Sequence, residues 1–248
     1  MSKFYTRWKR PLIRSKILSG LSKYPGYIRD MFKYSRMEGA EKIKIFDSYP
    51  CLFDKTNKTK VDSHYFYQGL WAFQNIYEHK PQFHVDVGSS VNYIGFLTAI
   101  TKVIFVDIRP LDVSNVDNLE CVKGNILEMP YEDNSIESLS CLHVAEHIGL
   151  GRYGDQLDPL GTKKAASELS RCLAKGGNLY FSLPVGKPRL CFNAHRIHSP
   201  QQILEYFKDL KLVELSGVDD NKRFFRNIDI SILQQSRYGC GIFWFTKA

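Results

Sequence analysis

The spacing of hydrophobic and polar positions changes near Pro81. Before it, residues 63–79 carry large apolar side chains at helical intervals, which predicts one amphipathic helix. After it, short apolar runs end at polar residues or glycine, as is typical of buried strands. Seven strands are predicted, at 83–88, 102–107, 119–123, 136–142, 178–183, 210–215 and 241–246. Helices fit between most of them, near 92–101, 162–174 and 199–208.

The alternation of strands with helices decides the predicted fold class. Such a series is typical of parallel βαβ units, so we predict an α/β protein. Its centre is a Rossmann-like, doubly wound, seven-stranded and mostly parallel sheet with helices on both faces. This domain is expected over residues 63–248. Residues 1–62 are predicted to form a basic N-terminal helical extension, or arm, that ends in a polar linker over 37–62.

Composition narrows the class of protein. The 248 residues are 44% hydrophobic and 24% charged, which supplies a large core and excludes a disordered chain. The sequence has no run of about 18 apolar residues, so no transmembrane helix is predicted. The six cysteines have no paired spacing, which argues against a disulfide scaffold or a zinc ribbon. Because the N-terminus also lacks an apolar leader, we expect a cytoplasmic protein.

The net charge of +8 is concentrated at the N-terminus. Residues 1–36 contain ten lysines and arginines and one acid, with aromatic and aliphatic side chains between them. Such a segment can lie on an anionic membrane, bind nucleic acid, or form a solvated helix packed on the domain. We predict peripheral contact with the inner face of the membrane. Nucleic acid is not an expected partner, because the rest of the chain is nearly neutral.

Two acids and a glycine predict a nucleoside-binding site. The first strand ends with Asp86 and Gly88, and the second ends with Asp107, about 20 residues after the first turn. An acid at this distance is the one that hydrogen-bonds ribose hydroxyls in doubly wound folds. We therefore expect an adenosine-containing ligand at the carboxyl ends of these strands. The alternative is a Rossmann-like domain with a vacant pocket.

The sequence of the turn after the first strand indicates which adenosine-containing ligand is expected. A dinucleotide needs the pattern G-x-G-x-x-G, so that the backbone can approach the pyrophosphate. Here Gly88 is followed by Ser89 and Ser90, and two of the expected glycines are missing. S-adenosylmethionine has no phosphate and needs only the first tight turn. The degenerate pattern therefore favours S-adenosylmethionine over a dinucleotide.

Several short motifs, taken in order, resemble those of class I S-adenosylmethionine-dependent methyltransferases over about 83–246. They lie at residues 85–88, 106–107, 124–125, 141–147 and 173–177. More narrowly, residues 64–68, 147–155 and 193–196 resemble a bacterial methyltransferase-like family of unknown function that often belongs to surface-polysaccharide gene sets. That resemblance implies a sugar or glycan precursor, small or lipid-linked, as the substrate.

The resemblance also assigns cofactor-binding residues. It implies that Asp86, Gly88 and Ser89 lie beside the methionine part of S-adenosylmethionine and that Asp107 holds the ribose. It implies that Asn125, after the third strand, faces the adenine amine. Many methyltransferases have an aspartate at the last position, and asparagine keeps the carbonyl acceptor without the charge.

The segment after the fourth strand carries the candidate catalytic residues. His143, Glu146 and His147 follow the strand directly, where substrates bind in doubly wound sheets. A histidine with a pKa near 6.5 is suited to take the proton from a hydroxyl that is being methylated, so His143, His147 or His195 is the expected base. Glu146 is expected to orient a histidine. A structural role for each histidine is the alternative.

The same residues raise the question of a metal. Their pattern also matches H-x-x-E-H, a metalloprotease signature, but Gly149 and Gly151 would end the helix that this signature needs. Some methyltransferases hold a divalent metal with a glutamate–histidine pair at this place. Several imidazoles and a carboxylate would suit a transition metal, yet the simpler base-only site is favoured.

A glycine-rich loop over 149–161 supplies the candidate substrate-binding residues. Arg152, Tyr153 and Asp155 lie in it, and Arg196 follows the fifth strand. A long loop here can act as a lid, and its arginine can hold a phosphate or carboxylate of a sugar nucleotide or lipid-linked sugar. Alternatively, Arg152 pairs with acids of the loop itself.

These observations predict an S-adenosylmethionine-dependent methyltransferase that O-methylates a sugar or surface-glycan precursor. The chief alternative is a non-catalytic methyltransferase-like protein that binds or assembles components of polysaccharide biosynthesis. A nucleic-acid methyltransferase is a weaker alternative that rests on the basic arm alone.

Overall fold

A computed structural model describes residues 20–248, and these divide after Lys60 into two compact units. Before that point, helix α1 spans Tyr24–Ser35 and a single 3-10 turn spans Ile45–Asp47. The rest of the segment from residue 36 to 60 has no regular secondary structure. The basic arm lies in part outside the described residues, so the helical extension over residues 1–62 stays a prediction.

The second unit, Val61–Ala248, is built on one eight-stranded sheet of order β3-β2-β1-β4-β5-β10-β8-β9. The first five strands in this order pair in parallel, and the last three pair antiparallel. The bounds are β1 Phe83–Val87, β2 Lys102–Asp107, β3 Leu119–Lys123, β4 Ile136–Leu142, β5 Leu173–Val185, β8 Lys211–Val218, β9 Phe224–Phe225 and β10 Gly239–Thr246. Strands β6 Arg189–Cys191 and β7 His195–Ile197 form a separate hairpin.

The seven predicted strands all occur in this sheet, but the predicted count was one too low. The eighth strand is β9, in which two residues fold back onto Gly217 and Val218 of β8. Two phenylalanines show no apolar–polar alternation, so the sequence pattern could not identify them as a strand. The mostly parallel α/β sheet is confirmed.

The second unit has five α-helices, of which one precedes β1 and four lie between strands. They are α2 Ser63–His79, α3 Val91–Leu97, α4 Gly161–Cys172, α5 Pro200–Tyr206 and α6 Ile230–Gln235. Side chains cap their first turns where the sequence offers an acceptor. The Asp62 carboxylate accepts the backbone N–H groups of His64 and Tyr65 at the start of α2. Ser199 forms a capping box with Gln202 at the start of α5.

Helices cover both faces of the sheet, as predicted. One buried cluster includes Leu169 of α4, Ile203 of α5 and Leu233 of α6. The other includes Trp71 of α2 and Ile94 of α3. Because both faces are packed, the accessible part of the sheet is its edge at the carboxyl ends of the parallel strands. Within residues 20–248, no helix is both long and apolar enough to cross a bilayer.

Candidate functional site

A cavity of about 440 Å³ lies at the carboxyl ends of β1, β2 and β4, and we call it the β1–β2 cavity. It falls within the range of roughly 300–1,000 Å³ that small-molecule sites occupy. Polar groups and apolar walls both line it. The lining includes Gly88, Ser89, Ser90, Phe105, Asp107, Arg109, Gly124, Ile126, Leu142, His143, His147 and Tyr153.

The turn at Gly88 lines this cavity, and its conformation favours glycine. The φ of Gly88 is +67°, in the left-handed region that favours glycine. A Cβ atom at this position would lie 3.1 Å from Cγ1 of Val144 and 3.5 Å from Oδ2 of Asp107. A side chain here would therefore be strained and would fill the space between the first turn and the end of β2.

Asp107 is the carboxylate that the cavity offers to a ligand. Its side chain is 19% exposed, and Oδ1 accepts the backbone N–H of Arg109 at 2.7 Å. Oδ2 faces the Gly88 turn. The position predicted to hold a ribose therefore lines the cavity with acceptor capacity remaining.

Asp86, predicted beside the methionine part, does not line the cavity. It is fully buried, and its carboxylate accepts hydrogen bonds from the backbone and hydroxyl of Ser89 and from the Ser140 hydroxyl. Burial raises the pKa of Asp86 to about 6, although these donors oppose the shift. Ser89 lines the cavity, but its hydroxyl also accepts the Leu142 N–H. Asp86 thus stabilises the turn from its buried side, through hydrogen bonds.

Asn125, predicted to face an adenine amine, lies next to this cavity in the sequence and is not part of its lining. Its side chain is exposed, and Oδ1 accepts the backbone N–H of Leu127 at 3.0 Å. Gly124 and Ile126 line the cavity on either side of it. The amide oxygen has two lone pairs, so this turn uses one acceptor site of Asn125 and leaves the other. The contact between Asn125 and an adenine amine stays a prediction.

A second cavity of about 750 Å³, the histidine cavity, adjoins the first. Tyr65, His143, His147 and Tyr153 line both. The histidine cavity also contains many charged groups. Its further lining includes Asp62, His64, Glu146, Arg152, His195, Asp219, Asp220, Lys222, Arg237 and Tyr238. The four predicted catalytic residues, His143, Glu146, His147 and His195, are therefore brought together.

Buried Glu146 and partly buried His147 form an acid–imidazole pair in the 3-10 turn Ala145–His147. Oε1 of Glu146 lies 3.6 Å from Nε2 of His147, and Oε2 has no hydrogen-bond partner. Burial raises the pKa of Glu146 to about 8, against which the nearby Arg152 cation acts. Burial lowers the pKa of His147 to about 4. At neutral pH the imidazole is therefore uncharged, and the carboxyl titrates close to physiological pH.

The tautomer of His147 follows from its partner. Nδ1 lies 2.6 Å from the Ala194 carbonyl oxygen, which only accepts, so Nδ1 carries the proton and Nε2 is the unprotonated nitrogen. Nη1 of Arg152 donates to the same carbonyl at 2.9 Å. The carbonyl of the residue before His195 thus fixes both side chains at the cavity wall.

His143 is held in an unusual backbone conformation between the two cavities. Its φ is +57°, a region that residues other than glycine rarely adopt, and its backbone N–H donates to the Ser182 carbonyl at 2.8 Å. Its Nε2 lies 3.4 Å from Nδ1 of His64, and its Nδ1 has no partner. Burial lowers the pKa of His143 well below 6.5. Strained residues of this kind are common at functional sites.

The predicted substrate-binding residues divide into two pairs. Arg152 and Tyr153 line the histidine cavity, and the guanidinium of Arg152 lies 4.9 Å from the Tyr153 ring centre. Asp155 instead accepts backbone N–H groups of Gly149, Gly151 and Tyr153 and so closes the loop.

Arg196 likewise serves the loop. Its guanidinium donates to the carbonyl of Ile148 at 2.5 Å and to that of Asp158 at 2.9 Å. Neither Asp155 nor Arg196 lines the cavity, because the loop needs donors and acceptors for its own backbone.

Sequence reasoning missed one wall of the histidine cavity. Asp62, His64 and Tyr65 come from the start of α2, and Tyr238 comes from the other end of the chain. None of these residues follows a parallel strand, so no strand-end motif marks them. The segment 64–68, quoted above as a family motif, was the signal that could have found two of them.

Solved structures share this fold at low identity. The N-methyltransferase NodS from Bradyrhizobium japonicum, in complex with S-adenosyl-L-homocysteine, is 11% identical with a TM-score of 0.53, over 75% of this chain and 89% of that one. The 1,6-didemethyltoxoflavin-N1-methyltransferase of Burkholderia thailandensis is 11% identical with a TM-score of 0.52, over 92% and 90%. The cyclase SpnF is 14% identical with a TM-score of 0.50, over 71% and 79%. These likenesses establish the Rossmann-like fold of class I methyltransferases.

Sequence comparison gives the family. No curated protein matches the chain. One family profile matches residues 89–230, which include most of the β1–β2 cavity and the segment from His143 to Arg196. Because this match spans more than half of the 248 residues, the chain belongs to the family DUF268, described as Caenorhabditis protein of unknown function.

Proposed function

We propose that this chain is an S-adenosylmethionine-dependent methyltransferase that methylates a hydroxyl group of a sugar or glycan precursor. The observation that carries the proposal is the junction of the two cavities. Tyr65, His143, His147 and Tyr153 border both, so a nucleoside ligand in the first would meet an acceptor in the second at these side chains. Methyl transfer needs such a meeting point, because donor and acceptor react directly and in line.

The β1–β2 cavity fits S-adenosylmethionine by its chemistry. Asp107 offers acceptor oxygens for a ribose diol, and Phe105, Ile126 and Leu142 give apolar walls for a base. The turn has one glycine, and the Ser90 hydroxyl is turned toward the N–H of Tyr93 at 3.5 Å. A pyrophosphate would lack the glycine-rich backbone it needs there. When bound, S-adenosylmethionine supplies an activated methyl group.

Glu146 is the proposed general base, in place of the histidines favoured by the sequence. An effective base has a pKa near the working pH. The pKa of Glu146, raised by burial to about 8, is closer to this condition than that of His147, lowered by burial to about 4. Glu146 takes the acceptor proton, and His147, whose Nε2 is a bare acceptor, orients the hydroxyl.

The histidine cavity suits a polar acceptor with many hydroxyls. Carboxylates of Asp62 and Asp220 are hydrogen-bond acceptors, and Lys222 and Arg237 add positive charge to the same lining. Tyr238 adds an aromatic face. A sugar that carries a phosphate or carboxylate would use both kinds of group, since it offers hydroxyl donors together with an anion.

Calorimetry with S-adenosylhomocysteine tests the cofactor, and a methyl-transfer screen with nucleotide sugars and lipid-linked sugars tests the acceptor. We expect micromolar binding of S-adenosylhomocysteine and methylation of at least one sugar. Absence of binding at millimolar S-adenosylhomocysteine by folded protein would contradict the proposal.

A second candidate is a ligand-binding protein of the same fold without methyl transfer. The outward position of Asn125 and the single glycine of the turn favour it, because both reduce the contacts available to a nucleoside. The fold also serves other chemistry, since SpnF is named a cyclase. Tight binding of a sugar ligand by a protein that never transfers a methyl group would decide for this candidate.

The membrane contact of the basic arm is also proposed. In α1, Ile28 and Phe32 are exposed one turn apart, with Lys33 and Arg36 close by in sequence. Apolar and basic side chains on one exposed helix are typical of segments that lie on anionic lipid. Vesicles with phosphatidylserine should sediment the full chain at low salt, and vesicles of neutral lipid should not. Equal sedimentation with both, or with neither, would contradict this contact.

A further inference from the structure

Three metal-ligating side chains from distant parts of the sequence meet beside the histidine cavity. His64 lies in the first turn of α2, His143 follows β4, and Cys240 lies in β10. One ligand atom of each lies within 4.8 Å of the other two. All three residues are buried, with Cys240 fully so. Two imidazoles and a thiolate are a donor set for a transition metal and not for Mg²⁺ or Ca²⁺.

The spacing of the imidazoles matches a shared ion better than a hydrogen bond. Nδ1 of His64 and Nε2 of His143 are 3.4 Å apart, which is long for an N–H donor and its acceptor. Around a tetrahedral Zn²⁺ with bonds of about 2.0–2.1 Å, two nitrogens are separated by about 3.3–3.4 Å. The two rings are also turned edge to face, at an interplanar angle of 72°, so they do not stack on each other.

Nearby carboxyl groups make the surroundings of the cluster favourable for a cation. Asp62 and Asp220 act on the His64 imidazole, and Asp62 and Glu146 act on the Cys240 thiol. Oε2 of Glu146 is buried without a hydrogen-bond partner. Buried polar atoms are normally satisfied, and a cation next to the carboxyl would stabilise its ionised form.

The thiol has no strong partner of its own. Sγ of Cys240 lies 3.9 Å from Oε1 of Gln68 and 3.8 Å from the Gly241 carbonyl oxygen. Oε1 of Gln68 already accepts a hydrogen bond of 2.8 Å from the Ser182 hydroxyl. Replacement of the thiol proton by a metal ion would therefore disturb no strong interaction.

We propose that His64, His143 and Cys240 bind one divalent transition-metal ion, with Zn²⁺ as the expected ion. The thiol loses its proton when the ion binds. Three protein ligands leave one position of a tetrahedral site, as in catalytic zinc centres, and His64 and His143 direct it toward the histidine cavity. A hydroxyl oxygen of the acceptor would be the fourth ligand, a last step that rests on the proposed function.

Cobalt is the probe that tests the ligands without any activity. The full chain is stripped with chelator and titrated with Co²⁺, and Zn²⁺ is then added in competition. We expect saturation at one ion per chain, visible bands of four-coordinate Co²⁺, a near-ultraviolet thiolate-to-cobalt band, and displacement by Zn²⁺. No saturable binding, or binding without the thiolate band, would overturn the proposal.

Two variants and a control assign the site. Cys240→Ser should abolish the thiolate band and weaken Zn²⁺ by more than about 100-fold, the upper end of what loss of a second-shell partner costs. The control is Cys172→Ser, which replaces another buried thiol outside the cluster. If Cys240→Ser does not fold, His64→Gln is the variant that tests the site. Unchanged Zn²⁺ affinity in either folded ligand variant would overturn the proposal.

Cofactor binding separates this inference from the proposed function. Cys240→Ser should keep its affinity for S-adenosylhomocysteine, because Cys240 does not line the β1–β2 cavity. A chain that binds Zn²⁺ through these ligands but never binds the nucleoside would refute the proposed function and leave the metal site standing. The opposite result would refute the metal site alone.

Discussion

The β1–β2 cavity and the histidine cavity differ in how their buried polar groups are satisfied. Under the first, the Asp86 carboxylate accepts hydrogen bonds from Ser89 and Ser140, and the turn is complete in itself. In the second, Oε2 of Glu146 is buried without a partner, and so is Nδ1 of His143, a residue that borders both cavities. The turn of the first cavity needs no further hydrogen-bond partner. The second cavity holds buried polar atoms that a ligand or an ion would satisfy.

The two cavities also differ in how the chain assembles them. The β1–β2 cavity comes mainly from turns that follow neighbouring parallel strands. The histidine cavity gathers the start of α2, the segment after β4, the hairpin at His195 and the residues before β10. Substitutions should therefore separate them: those in the first change cofactor affinity, and those in the second change the rate or the pH dependence.

The largest expected effect is on the rate. Glu146→Gln removes the proposed base and should lower methyl transfer by about 100-fold or more, with the affinity for S-adenosylhomocysteine kept. In the chelator-treated parent, the rate should rise with pH up to about 8, because the base acts when ionised and burial raises its pKa to that value. Glu137→Gln, at an exposed position, is the control. Full activity of the folded Glu146 variant would remove this residue from the chemistry.

The same residue should make stability depend on pH. The pKa of Glu146 is about 8 in the folded chain, against an ordinary value of 4.5. Between these values the unfolded chain ionises while the folded chain stays neutral, so the folded state binds more protons and loses stability as pH rises. Relative to the parent, Glu146→Gln should gain roughly 3–4 kcal/mol in free energy of unfolding from pH 5 to pH 8.

Denaturant unfolding of chelator-treated protein measures this difference. Chelation matters because a cation at the neighbouring cluster would favour the ionised carboxyl and reduce the effect. Other titrating groups, including the buried histidines, are common to both proteins and largely cancel. A difference that stays constant across this pH range would mean that Glu146 is ionised in the folded chain.

The two cavities also differ in how much of each could be predicted from the sequence. The strands and the Gly88 and Asp107 positions were predictable, because a short apolar run and the turn after it are local patterns. The hydrogen bonds of Asp86 and Asn125 were not, because they depend on which partners compete for each side chain. One hydrogen-bond partner of the Asp86 carboxylate is Ser140, which lies more than fifty positions away in the sequence.

The histidine cavity was half predictable. His143, Glu146, His147 and His195 follow strands and could be assigned to the carboxyl edge. His64 could not be placed beside His143, since one lies on a helix before the sheet begins and the other after its fourth strand. Contacts over such a separation depend on packing, which local spacing does not contain.

A moderate effect is expected in the β1–β2 cavity at Asp107. Asp107→Ala should weaken S-adenosylhomocysteine by about tenfold or more, or 1.5–3 kcal/mol, because hydrogen bonds to a charged group are lost. Calorimetry measures it, and Asp112→Ala, an exposed acid in the following loop, is the control. The maximal rate with saturating cofactor should change little. Equal affinity of the folded variant and the parent would show that this carboxylate does not touch the nucleoside.

The smallest effect on cofactor affinity is expected at Asn125. Its size shows whether the side chain contacts the adenine amine, as the resemblance implies, or keeps its hydrogen bond to the Leu127 N–H. The exposed side chain accepts the Leu127 N–H, so its loss should cost about 0.5 kcal/mol of stability at most, as for other surface turns. Asn125→Ala should therefore bind S-adenosylhomocysteine within about twofold of the parent. A tenfold loss, similar to that at Asp107, would mean that the side chain leaves its turn and meets the adenine when the ligand binds. The β1–β2 cavity would then be completed by its ligand, and its contrast with the histidine cavity would fail at this residue.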